Sequence, residues 1–96
     1  MSFTHIVMFK WRDDGFDDSE IAGALTALAT GMDGVNDYRC GHDAGVAPGN
    51  YDFAIVGNFR DHASFVAYRN HPEHMRILDD LIAPNMHVRT AVQWQD

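Results

Sequence analysis

Six histidines and three tyrosines are the side chains in this 96-residue chain best suited to moving protons near neutral pH. Tyr68 and His74 form the most suggestive pair. They stand six residues apart in A-Y-R-N-H-P-E-H, residues 67–74, with His71-Pro72 between them. A neutral imidazole can take a proton from an acidic C–H between two carbonyls, and a phenol O–H can donate to the enolate or aldol oxygen as charge develops there. His74 is therefore read as the base and Tyr68 as donor and positioning group. His5 is read as a second donor into the same space. No metal or cofactor is required where the carbon acid is already activated. His71 and His74 stand at i, i+3, but no third ligand of fixed spacing accompanies them, and zinc sites take three or four protein ligands. No metal site is assigned. The competing reading of His74 is a core histidine bonded to a buried partner, the usual condition of buried polar groups.

The elements that must position these groups follow from the hydrophobic period. Residues 3–12 read as a strand, with Phe3, His5, Val7, Phe9 and Trp11 on one face and Thr4, Ile6, Met8 and Lys10 on the other. Asp17 precedes Glu20 by three residues, the spacing of a capping box. The helix that follows carries Ile21, Ala24, Leu25, Leu28, Ala29 and Met32 as an amphipathic stripe. Gly31 or Gly34 is the candidate left-handed residue at its end. Residues 35–44 form a polar edge strand, and Gly45 to Gly49 a loop rather than a phosphate cradle. Residues 51–59 form a strong strand, with Tyr51, Phe53, Ile55, Gly57 and Phe59 on one face. Asp61 caps a short helix bearing Phe65 and Tyr68. Pro72 opens a new helix, in which His74, Leu78, Leu81 and Ile82 share one side and which Pro84 ends. Residues 86–95 alternate as a last strand, Met86, Val88, Thr90, Val92 and Trp94 together. Trp11 and Trp94 read as rim or interface packing on two strands paired at the centre, and Cys40 as a passive small residue. His42, His62 and His87 read as solvated, and His71 as lying outside the cavity.

The order β-α-β-β-α-α-β is an α+β chain of the ferredoxin-like, split βαβ type: a four-stranded antiparallel sheet with helices on one face. The other face carries Ile6, Met8, Ala54 and Val56, with no helix left to cover them. A second copy of the chain, packed sheet face to sheet face, would cover it as a homodimer. Composition sets the outer limits. The length fits one domain, residues 1–96. Hydrophobic residues at 46% and charged residues at 22% describe a folded globular chain. Fourteen acidic against seven basic residues disfavour nucleic acid and anionic membranes as partners. The single Cys40 closes no intrachain disulfide. Neither a signal peptide nor a membrane-length apolar run is visible, and the expected location is cytoplasmic.

The segments T-H-I-V-M-F-K-W (residues 4–11), M-D-G-V (32–35), Y-D-F-A-I-V-G-N-F (51–59) and A-Y-R-N-H-P-E-H (67–74) together resemble the stress-responsive dimeric α/β-barrel (Dabb) family. The resemblance implies a dimer in which two sheets pack face to face into a barrel. Most of that family has no established reaction. Its plant olivetolic acid cyclase branch closes an aldol ring on a linear polyketide without a cofactor. That branch's motif Tyr and His fall here on Tyr68 and His74, and its first-strand His on His5. Its third-strand His is replaced by Phe53, and a cavity Tyr of its first helix falls near Leu25. Val7, Phe9, Leu25, Phe53 and Leu78 are accordingly expected to line a substrate pocket between helix and sheet.

Two functions stay open on this reading. One is a cofactor-independent cyclase, lyase or isomerase acting on a small, polyketide-like carbonyl compound. The other is a non-catalytic, ligand-binding or stress-responsive dimer with structural histidines. Related dimeric barrels also include cofactor-free monooxygenases and haem-degrading enzymes, a third possibility. Fold alone does not choose among them.

Overall fold

Alternating orientation along the first strand gives it two faces, both apolar at the centre, and the helices are built on one of them. The computed structural model describes residues 1–96. Strand β1 (Phe3–Trp11) leads to helix α1 (Ser19–Thr30), then to strands β2 (Val35–His42) and β3 (Phe53–Phe59). Helices α2 (His62–Arg69) and α3 (Pro72–Ile77) follow, and a π-helical turn (Leu78–Ile82) and a 3₁₀ turn (Ala83–Asn85) lead into strand β4 (Met86–Gln95). The sheet order is β2-β3-β1-β4 with every neighbouring pair antiparallel, the ferredoxin-like topology. β1 and β3 are thus the central pair. β4 is an edge strand, not the central partner its alternation suggested.

The odd residues of β1 face the helices. Val7, Phe9 and Trp11 pack with Phe53 and Ile55 of β3, Ile21 and Leu25 of α1, and Ile77 and Ile82 behind α3. A second cluster, Phe59, Phe65 and Tyr68, seats α2 on the far end of the sheet. Trp11 is core rather than rim: it is buried, and its indole N–H donates to the Asp18 carboxylate at 2.9 Å. The opposite sheet face has no cover. Met8, Val56, Val92 and Trp94 are 38%, 43%, 54% and 44% exposed on it.

Two local expectations are corrected, and the choice between Gly31 and Gly34 is decided. Asp17 does not form the capping box with Glu20; its carboxylate accepts only from the Ser19 N–H, and α1 starts one residue later with Asp18 at the cap position. The Asp18 side chain leaves that cap empty because Trp11 and His42 both claim it. Of the two glycines, only Gly34 is left-handed, at φ 89°, whereas Gly31 is at −85°. A Cβ on Gly34 would stand 2.5 Å from Ser64 Oγ, so the turn passes too close to α2 for any side chain. Met86 leaves the row of Val88 and Val92: a bulge at Lys10/Trp11 sets it opposite Trp11, against the core.

Asp61 and Pro72 act as expected. The Asp61 carboxylate accepts from the Ser64 N–H at 2.8 Å, and Pro72 occupies the first turn of α3, where a missing N–H is harmless. The helix opened by Pro72 does not stay α-helical to Pro84. After Ile77 it widens into the π turn and then tightens to 3₁₀ before β4. Such turns insert a residue into the helical period and rotate the faces after it.

Candidate functional site

The widened turn lies against a cavity of about 800 Å³ between the helical layer and the sheet. Its floor is Val7, Phe9 and Ile55, and its helical wall includes Tyr68, His74, Leu78 and Ile82. β4 closes one side with Arg89, Ala91 and Gln93. His5, Tyr68 and His74 come from β1, α2 and α3, and all three line this one space.

The two imidazoles are set in opposite states. His74 Nδ1 lies 2.9 Å from the Arg69 carbonyl oxygen. A carbonyl only accepts, so Nδ1 carries the proton and Nε2 keeps its lone pair. His5 Nδ1 lies 2.9 Å from Gln93 Nε2. As that amide is oriented it donates, so His5 Nδ1 accepts and its proton is on Nε2. Neither Nε2 bonds to protein, and no buried side-chain nitrogen or oxygen lacks a partner, so both Nε2 atoms are open to the cavity. One ring therefore offers an acceptor and the other a donor.

Both rings are held neutral. Burial pushes the His5 pKa down from 6.5 to about 4, helped by the nearby charge of Arg89 and by His74. Burial also lowers His74, against the opposing pull of its bond to the Arg69 carbonyl. The Tyr68 ring is packed 4.4 Å, centroid to centroid, from the His74 ring. Its hydroxyl does not reach for His74; it is 2.6 Å from the Tyr38 hydroxyl on β2. Burial pushes the Tyr68 phenol up to about 12, and Tyr38 is raised further by burial and by Tyr68. Both stay protonated.

Val7, Phe9 and Leu78 line the cavity as expected. Leu25 and Phe53 do not: they are 0% and 1% exposed, within the core cluster. His71 stays outside and caps α3, its Nδ1 accepting from the Glu73 N–H at 3.0 Å. His42 is half exposed as a surface residue should be, yet it is bonded to the buried Asp18 carboxylate at 2.6 Å. Sequence reasoning missed Gln93, Arg89, Arg69 and Tyr38. Gln93 could have been found from register, because it is the cross-strand partner of His5. Tyr38 was hidden on a strand that reads as polar.

The family model for the stress responsive A/B barrel domain matches residues 3–96. The chain belongs to that family. A dimeric ferredoxin-like protein of unknown function from Thermobifida fusca YX is 38% identical, over 98% of this chain and 90% of that one, with a TM-score of 0.87. More distant structures share the fold. The hydroxynitrile lyase of Passiflora edulis is 14% identical over 97% of this chain and 91% of its own, at a TM-score of 0.78. SnoaB, a cofactor-independent oxygenase from Streptomyces nogalater, is 8% identical over 99% and 92%, at 0.79. No curated protein matches the family member described here at a significant level. No helix of this A/B barrel domain is long and apolar enough to cross a membrane.

Proposed function

We propose that this A/B barrel protein is a homodimeric, cofactor-independent catalyst of proton transfer at carbon, of the lyase, cyclase or isomerase type, acting on a small carbonyl compound. The observation that carries the reading is the pair of open Nε2 atoms, one an acceptor and one a donor, in a single cavity. A fully buried structural histidine would have its polar atoms satisfied within the protein, whereas here each ring turns one nitrogen to open space. In the proposed reaction His74 Nε2 takes a proton from the carbon between two carbonyls. The C–H electron pair becomes a C=C π bond as the carbonyl π pair shifts onto oxygen, and His5 Nε2–H donates a hydrogen bond to the enolate oxygen so formed. The Arg69 carbonyl stabilises the imidazolium that His74 becomes. Tyr68 holds the His74 ring by contact and is itself held by Tyr38.

The homodimer forms through the uncovered sheet face, burying Ile6, Met8 and Val56. Support comes from the four exposed apolar side chains on that face and from the dimeric state of the Thermobifida fusca relative.

Deuterium exchange tests the proton transfer without knowledge of the physiological substrate. Acetylacetone in D₂O, followed by NMR, should lose its central C–H signal faster with the protein than in buffer. His74→Ala should return the rate to the buffer value while leaving the fold intact by circular dichroism. Equal rates for the wild type and His74→Ala would sink the proposal.

A further inference from the structure

The cavity holds more charge than proton transfer at carbon requires. Arg69 and Arg89 both line it. They are two of only seven cations in a chain with fourteen acidic residues. Outside the cavity, Arg60 pairs with Asp33 and Asp61 and Arg76 with Glu73, whereas Arg12 bonds the Met86 carbonyl and Arg39 has no carboxylate partner. Neither Arg69 nor Arg89 is ion-paired or hydrogen-bonded to any carboxylate, although Asp79 lines the same cavity.

Both are also positioned. The Arg69 guanidinium lies over the Phe65 ring, 5.7 Å from its centroid, and Phe65 in turn packs 4.9 Å from the His5 ring. Arg89 projects from β4 two positions along the same strand face from Ala91 and four from Gln93, the residue that fixes His5. Its charge is felt at His5. Much of the remaining lining is apolar, including Val7, Phe9, Ile55, Ile82 and Met86, with Asp79 and Thr90 among the polar groups.

We infer that the cavity selects small carbonyl compounds that carry a carboxylate, with Arg89 and Arg69 gripping the carboxylate at the mouth while the carbonyl end reaches His5 and His74. This rests on the proton-transfer reading and adds the substrate's charge to it. A guanidinium fork matches a carboxylate in two parallel hydrogen bonds. Two arginines against Asp79 leave one net positive charge, the complement of a monoanion rather than of a phosphate dianion. The overall negative charge of the chain repels anions in general, so the arginines also decide where an anion can approach.

The test uses 4-oxopentanoate and its neutral isostere 4-oxopentanamide as probes, titrated against the intact protein with NMR detection of the His5 and His74 ring protons. The acid should bind about tenfold more tightly than the amide, as expected for a charge-assisted bidentate contact. Arg89→Gln should bring the two affinities together by weakening the binding of the acid more than that of the amide. Arg69→Gln should narrow the gap in the same direction. Acetate should displace 4-oxopentanoate at least as well as inorganic phosphate does. Equal affinity for acid and amide in the wild type would overturn the inference, as would a preference for the acid that survives both substitutions. Phosphate competing better than acetate would overturn the carboxylate assignment. If both probes shift the histidine rings equally, the proton-transfer site stands and only its charge selectivity falls. If neither probe reaches those rings, both readings fall.

Discussion

His5 and His74 differ in what fixes them, and the difference decides how the site should respond to pH. His74 is tied to the main-chain carbonyl of Arg69 at the end of α2, so its tautomer is set by the backbone. His5 is tied to a side-chain amide on the neighbouring strand. Both pKa values lie below the ordinary 6.5 because burial penalises the charged ring. The base must be neutral to act. A lowered pKa therefore keeps the base form present as pH falls through 6.5, where an exposed histidine would begin to fail. The exchange rate measured from neutral pH downward should stay level past 6.5 and decline only below it. A decline centred at or above 6.5 would contradict the burial account. Stability follows the same sign. The unfolded chain takes up protons on these rings before the folded one does, so stability is full above 6.5 and is lost as pH falls toward the folded values. Tyr68 illustrates what residue types cannot reveal: the motif marks its place in the cavity wall, but only the fold shows its hydroxyl committed to Tyr38, thirty positions away.

At the scale of elements, β4 was legible from its alternation, β1 and β3 from their β-branched and aromatic content, α1 from its stripe, and α2 and α3 from Asp61 and Pro72 at their starts. What was not legible depended on partners distant in sequence. Asp17 and Glu20 have the right spacing for a cap, yet the choice lay with Asp18, which is drawn inward by Trp11 from β1 and His42 from β2. The contents of β4's inner face needed the register: Arg89 and Gln93 enter the site only because β4 lies antiparallel beside β1. The Asp18–His42 bond joins the start of α1 to the end of β2, and its pH dependence runs opposite to that of the cavity. The Asp18 carboxylate raises the His42 pKa above 6.5. Its contribution is then complete below 6.5 and lost as pH rises through the raised folded value. His42→Gln should therefore cost most stability in mildly acidic buffer and progressively less in alkaline buffer, as read by urea denaturation at several pH values. A cost that grows with pH would show that the ion pair is not what holds these elements together.

On the scale of the whole molecule, the sequence already placed an apolar row on the face without helices, and the structure leaves that row open. Monomers seldom expose such a patch. Val56 sits on the central strand β3, directly opposite Ile6 on β1, so it lies in the middle of the surface to be covered. Val56→Asp places an unpaired charge there. Burying it would cost about 3–5 kcal/mol, enough to abolish a micromolar association. Sedimentation should report the wild type at twice the chain mass and the variant as a folded monomer. A wild type that sediments as a monomer, or a variant that stays dimeric, would rule out this face as the interface.

Strand β1 gives His5, Val7 and Phe9 to the cavity and Ile6 and Met8 to the open face. A lineage can therefore change what the pocket accepts, one point substitution at a time at positions such as Val7 or Phe9, without altering the surface by which copies recognise each other. Losing or gaining a single residue within the strand has no such freedom. It would turn His5 outward and Ile6 inward, exchanging both properties at one stroke. Diversification through this strand is open to substitution and closed to changes in length.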